Sequence, residues 1–151
     1  MKEETKQKKG LFMILAIVLA FLLYNAFWLC WRNIRYNRYT ENLETFREHI
    51  SYVRTAEDGY LFNAKLPDYL SFTGNLCVAT PDSTVALIIW PNVWKNNHYG
   101  VQVEKDGETY SIELNEDLSA KQADYNDLIA ENKDTILILK EKADDMWEKS
   151  S

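Results

Sequence analysis

The chain has 151 residues, 46% of them hydrophobic and 26% charged, with a net charge of −6 and two cysteines. This composition excludes a disordered polymer, which lacks the apolar surface to offset chain entropy, and a small domain stapled by several disulfides. Residues 1–38 hold seven Lys/Arg and two Asp/Glu, a net of +5, whereas residues 39–151 hold ten and twenty-one, a net of −11. The acidic portion repels phosphate backbones, so no nucleic-acid partner is expected, and like charge should hold it off an anionic bilayer surface.

Residues 1–10 form a basic tail with Lys2, Lys6, Lys8 and Lys9. Residues 11–31 (LFMILAIVLAFLLYNAFWLCW) contain no formal charge, Gly or Pro. At ~1.5 Å rise per residue, a helix of that length spans the ~30 Å hydrocarbon core of a bilayer. A cleaved signal is not expected. Signal cores run ~7–15 residues and end in a small-x-small site, whereas Ala26 here has Leu23 three places earlier and Phe27, Trp28 and Trp31 follow. Tyr24, Phe27, Trp28 and Trp31 instead form an interfacial aromatic belt. The reading is a retained single-pass anchor in the cell membrane, with membrane lipid as its first partner.

Four lysines plus the terminal amine before the span, against Arg32, Arg35 and Arg38 after it, favour an inside N-terminus and an extracytoplasmic C-terminal domain. Asn25 is the strongly polar residue of the span, facing headgroups or a neighbouring helix. Cys30 falls at the membrane edge and Cys77 in the domain, too far apart in setting to imply a bridge.

Beyond the span, Tyr36, Tyr39, Leu43, Phe46, Ile50 and Val53 recur at spacings of three and four, and no Gly or Pro occurs between Gly10 and Gly59. The pattern predicts an amphipathic stalk helix over residues 32–57 whose stripe packs on the protein's own sheet, with a short parallel coiled coil between copies as the alternative. Residues 58–151 then read as a small α+β domain. Runs 60–66, 69–73 and 76–79 predict short strands separated by turn residues, and residues 85–90 (VALIIW) a central strand covered on both faces. Tyr99, Val101 and Val103 alternate with polar residues, as do Tyr110, Ile112 and Leu114, around Asp106-Gly107, a hairpin signal. A helix is expected from Leu118 to about Lys133, a strand over residues 135–139 (TILIL), and a short charged helix after it. The expected fold is therefore α+β: one N-terminal transmembrane helix, an amphipathic continuation, a mainly antiparallel sheet and C-terminal helices.

In layout, residues 5–57 resemble type IV pilins and pseudopilins, with Lys8-Lys9-Gly10 before the apolar run, although Leu15 stands where that family carries Glu. That resemblance implies assembly through the N-terminal helix. Residues 99–139 loosely resemble the periplasmic module of biopolymer-transport accessory subunits, but the span has Asn25 and no acid to carry protons.

No P-loop, Gly-x-Ser-x-Gly turn, His-x-x-x-His or Asp-rich loop occurs, so no catalytic residue, metal ligand or cofactor is predicted. One segment invites a binding role: residues 90–99 (WPNVWKNNHY), where rings stand beside amide and imidazole groups. The candidate binding residues are Trp94, Asn96, Asn97 and His98. The functional expectation is a membrane-anchored accessory or scaffolding subunit of a membrane or cell-envelope complex, acting by binding a protein partner or envelope glycan. A pilin-like assembly subunit and an envelope enzyme are the alternatives.

Overall fold

The computed structural model describes the backbone of residues 2–92 and 96–147, with side chains from Lys9 onward. Helix α1 (Lys2–Thr40) is followed by seven strands, β1 (Glu44–Arg47), β2 (Ser51–Thr55), β3 (Leu61–Lys65), β4 (Asn75–Ala79), β5 (Val85–Trp90), β6 (His98–Lys105) and β7 (Glu108–Leu114). A 3₁₀ turn (Ala123–Tyr125) leads into α2 (Asn126–Glu131) and α3 (Lys133–Trp147). The fold is α+β. The chain divides into two compact units, Met1–Arg35 and Tyr36–Ser151, each considered separately.

The first unit is the greater part of α1. Residues Lys9–Thr40 of this helix are long and apolar enough to cross a membrane. Its apolar side chains from Leu11 to Leu23 are exposed. The Asn25 side-chain amide donates to the Phe21 carbonyl at 2.8 Å, so its polarity is accommodated within its own helix.

In the second unit the seven strands form one antiparallel sheet in sequence order, a pure meander. Strand alternation divides the side chains between two faces. Phe62, Val78, Leu87, Val101 and Ile112 lie in register across β3 to β7 and are all buried. Helix α3 covers this face, packing on β4 and β5. It contributes Ile136, Leu139, Ala143 and Trp147, at spacings of three and four residues. Burying side chains of this size stabilises by ~1.5–3 kcal/mol each before chain entropy is counted. Strand β5, expected to be covered on both faces, alternates between buried and half-buried residues. Its second face carries no packed helix among the described residues.

The predicted hairpin of β6 and β7 forms in the expected register: Val103 faces Tyr110, Val101 faces Ile112 and Tyr99 faces Leu114. Asp106 and Gly107 both adopt positive φ, 56° and 79°, as a type I′ turn requires.

Four further expectations need correction. The helix expected from Leu118 begins only at the 3₁₀ turn Ala123–Tyr125, Leu118 itself standing at φ 64° in the turn after β7, and it ends with α2 at Glu131. The stalk helix over residues 32–57 stops at Thr40. The Thr40 hydroxyl bonds back to the carbonyls of Tyr36 and Asn37, a local alternative to helix propagation. The following β-branched and aromatic residues then pair as β1 and β2, with His49 at φ 58° in their turn. Tyr36 and Tyr39 are buried as the stripe predicts, but Phe46 is 74% exposed and Ile50 40% exposed. Residues 135–139 are helical, within α3, because their neighbours continue one buried helical stripe. Residues 69–73, expected as a strand, lie in the irregular connection between β3 and β4.

Candidate functional site

The connection between β5 and β6 holds the predicted site. Trp94, with Val93 and Lys95, lies outside the described residues. Asn96 and His98 are exposed and Asn97 is half-buried. Asn92 ties the connection together: its backbone N–H donates to Asn97 Oδ1 at 3.3 Å, and its side-chain nitrogen lies 3.4 Å from His98 Nε2.

Register distributes these groups over both faces. His98 stands opposite Trp90, on the face that α3 does not cover. The Trp90 ring lies over Gly100 on the neighbouring strand, filling the space a side chain would need there: a Cβ would come within 2.9 Å of the ring. Asn97, by contrast, reaches the helix-covered side. With Tyr99 it lines a recess of ~290 Å³ bounded also by Arg38, Tyr39, Asp144 and Trp147, and floored by Leu76, Ile89 and Ala143.

Each part of this recess has a local cause. Tyr39 and Arg38 sit in the last turn of α1, where Tyr36 and Tyr39 meet edge to face with ring centroids 5.6 Å apart. The Trp147 indole N–H donates to the Tyr39 carbonyl at 3.2 Å. That bond satisfies one of the carbonyls a helix end leaves without an intrahelical partner. Trp147 also meets Phe62 edge to face at 5.9 Å. On the rim, Arg38 stacks over the Tyr39 ring with its guanidinium carbon 4.5 Å from the centroid. Lys140 reaches Asp144 one turn away, and its ammonium lies 5.6 Å from the Tyr99 centroid. The result is an apolar floor beneath a rim with one guanidinium, one ammonium–carboxylate pair and one amide. Such a recess suits an extended peptide segment or an amphiphilic group, with the apolar part below and hydrogen bonds at the edge.

Arg38, Asp144 and Trp147 were not among the sequence candidates. The signal that could have found them is the spacing Ile136, Leu139, Ala143, Trp147, which carries α3 across the core and brings its last turn to α1.

The open face carries Cys77, half-buried between Asn63 and Ile88. Desolvation pushes its thiol up to about 11. Among the described residues, no three His, Cys, Asp or Glu side chains converge as a metal site would need. No protein-family model, curated protein or solved structure matches this chain.

Proposed function

We propose that this chain is a single-pass membrane-anchored binding protein, an accessory or scaffolding subunit of a membrane or cell-envelope complex. Its domain lies outside the cytoplasm and takes a protein segment at the connection between β5 and β6. The observation that carries this reading is the recess: Asn97 and Tyr99, from the segment singled out by sequence, share it with Arg38 and Asp144 over an apolar floor. The anchor is supported by an α1 segment of spanning length and by its aromatic belt. The lysine-rich tail supports the orientation.

A photo-crosslinking residue placed at Asn96, beside the recess residue Asn97, tests the reading in the full chain in intact cells. The expected result is a discrete adduct with a membrane or envelope protein, weakened by Arg38→Glu. Absence of any protein adduct while the chain remains in the membrane fraction overturns it. A membrane-impermeant thiol reagent on Thr109→Cys, at an exposed position of β7, reads topology: labelling of intact cells supports an outside domain, and labelling only after lysis reverses it.

A further inference from the structure

Because the sheet is a meander, its connections fall alternately at two ends, and the two ends differ in chemistry. One end holds the turn after β1, the connection from β3 to β4, and the connection from β5 to β6. The chain also comes into the domain at this end. Tyr36 is fixed here by its hydroxyl, which accepts the Gly74 N–H at 2.6 Å. The helix turn then runs toward the other end, where β1 begins with Glu44 opposite Val53.

Tyr69, Leu70 and Phe72 crowd the connection beside Gly74, with Leu70 61% exposed and the other two rings also open to solvent. Ile50, in the turn after β1, joins them: its carbonyl accepts the Leu66 N–H at 2.8 Å. Beside these loops the charges cancel. Asp68 is paired with Lys65 at 2.9 Å, and Arg47 is followed by Glu48. The opposite end carries Glu57, Asp58, Asp82, Asp106 and Glu108 in its turns and strand ends, with Arg54, Lys105 and Lys142 among them, Lys142 paired with Asp58. Glu116 and Asp117 follow β7 at the aromatic end too, but at the sheet edge opposite β1, so the turns nearest Tyr69, Leu70, Phe72 and Ile50 stay locally neutral.

We propose that the end bearing Tyr69, Leu70, Phe72 and Ile50 docks into the headgroup region of the bilayer that anchors the chain. Connectivity selects this occupant. Four residues separate Trp31 of the aromatic belt from Tyr36, and five peptide steps reach at most ~18 Å. An apolar, locally neutral end on so short a tether meets the interface, where tyrosine places its ring among acyl chains and its hydroxyl among headgroups. The acidic end, facing solvent, supplies the repulsion from anionic lipid that keeps the other orientation unfavourable. This proposal rests on the anchor reading above.

The test uses the full chain, with Cys30→Ser and Cys77→Ala, in phosphatidylcholine vesicles. An environment-sensitive fluorophore is placed on Leu70→Cys, separately on Ile50→Cys, and on Thr109→Cys near the acidic end. Nitroxide-bearing lipids with the quencher near the headgroup should remove most of the emission at positions 70 and 50 and little at 109. Equal, weak quenching at all three positions in chains that float with the vesicles overturns the docking while leaving the anchor intact. Chains that fail to float overturn the anchor and the docking together. Quenching at Ile50 alone, with a Leu70 label that stays aqueous, also overturns the proposal, since Leu70 is the most exposed apolar side chain of its loop.

Discussion

The hydroxyl of Tyr36 accepts a hydrogen bond from the Gly74 N–H across 38 residues of sequence, in the buried interior of the domain. No side chain other than hydrogen fits at position 74: a Cβ there would stand 2.1 Å from the Lys65 carbonyl oxygen and 2.9 Å from the Tyr36 ring. The last turn of α1 is thus part of the domain core, and its fit depends on a loop far along the chain.

Tyr36→Phe should lower the stability of the full chain in mild detergent by ~1–3 kcal/mol, the cost of leaving a buried donor unsatisfied. Gly74→Ala should be worse, because the backbone of two segments must move apart. Thermal unfolding followed by circular dichroism separates the two. A Gly74→Ala variant as stable as the parent would show that the loop adapts freely and that the close approach is not specified.

The buried and exposed aromatics should respond in opposite ways. Trp147 packs on Phe62 and bonds to Tyr39, so Trp147→Ala should cost ~3–5 kcal/mol. Phe46, largely exposed on edge strand β1, should change stability by no more than ~0.5 kcal/mol when replaced by Ala. Chemical denaturation of both variants beside the parent checks the contrast. Equal losses would restore the helical stripe that the sequence predicts through Phe46.

Acid should loosen the domain through its turns. The Thr80 hydroxyl at 2.6 Å, together with the Thr84 N–H and hydroxyl, holds the Asp82 carboxyl below the usual carboxylate range. Lys142 does the same for Asp58, and Lys121 for Glu113. A folded pKa below the unfolded one adds stability that is complete above the unfolded value and disappears as pH falls through the folded value. Melting temperature should therefore be flat near neutrality and fall below about pH 4. Asp82→Asn should show a lower neutral plateau and a shallower acid decline. An unchanged decline would assign the acid sensitivity elsewhere.

Cys77 should be a slow nucleophile. With its thiol pushed up to about 11 by burial, its thiolate population near pH 8 is on the order of a hundredfold smaller than that of an ordinary cysteine. In the Cys30→Ser protein, alkylation should be slow when folded and accelerate by at least that factor in denaturant. A fast folded-state reaction would mean that the open sheet face is more hydrated at Cys77 than its half-buried position implies.

The parts of this fold legible in sequence are those where two local signals agree. Residues 98–114 combine period-two alternation with Asp-Gly, and strand, turn and register all follow. Residues 11–31 are apolar on every side, which only a spanning or fully enclosed helix accommodates. Residues 41–57 carried conflicting signals. The spacing of Tyr36 through Val53 reads as helical, while Thr45, Phe46, Tyr52, Val53 and Thr55 favour strands; pairing with β3 settled the conflict in favour of strands. TILIL looked like a strand because β-branched runs do, but Leu139 is one member of a stripe that ends at Trp147, and burial of that stripe outweighed local preference. Of the candidate binding residues, only Asn97 lines the recess among the described residues. The segment from Trp90 to Tyr99 was visible as an unusual mixture of rings and amides, whereas its partners Arg38 and Asp144 come from elements nearly a hundred residues apart on either side of the sheet sequence. No local pattern encodes that meeting.

The meander also sets a timetable. Every strand pairs with the one synthesised just before it, so pairing can advance as the chain emerges, with short loops to close at each step. The covered face is different: Phe62, Val78 and Leu87 wait for α3, whose last described residue, Trp147, reaches back to Tyr39 over 108 positions. Until that helix arrives, a growing chain presents an assembled sheet with one greasy side uncovered. A chain terminated before α3 would remain in that state, open to holding chaperones and proteases, so the arrival of α3 is itself the event that seals the domain.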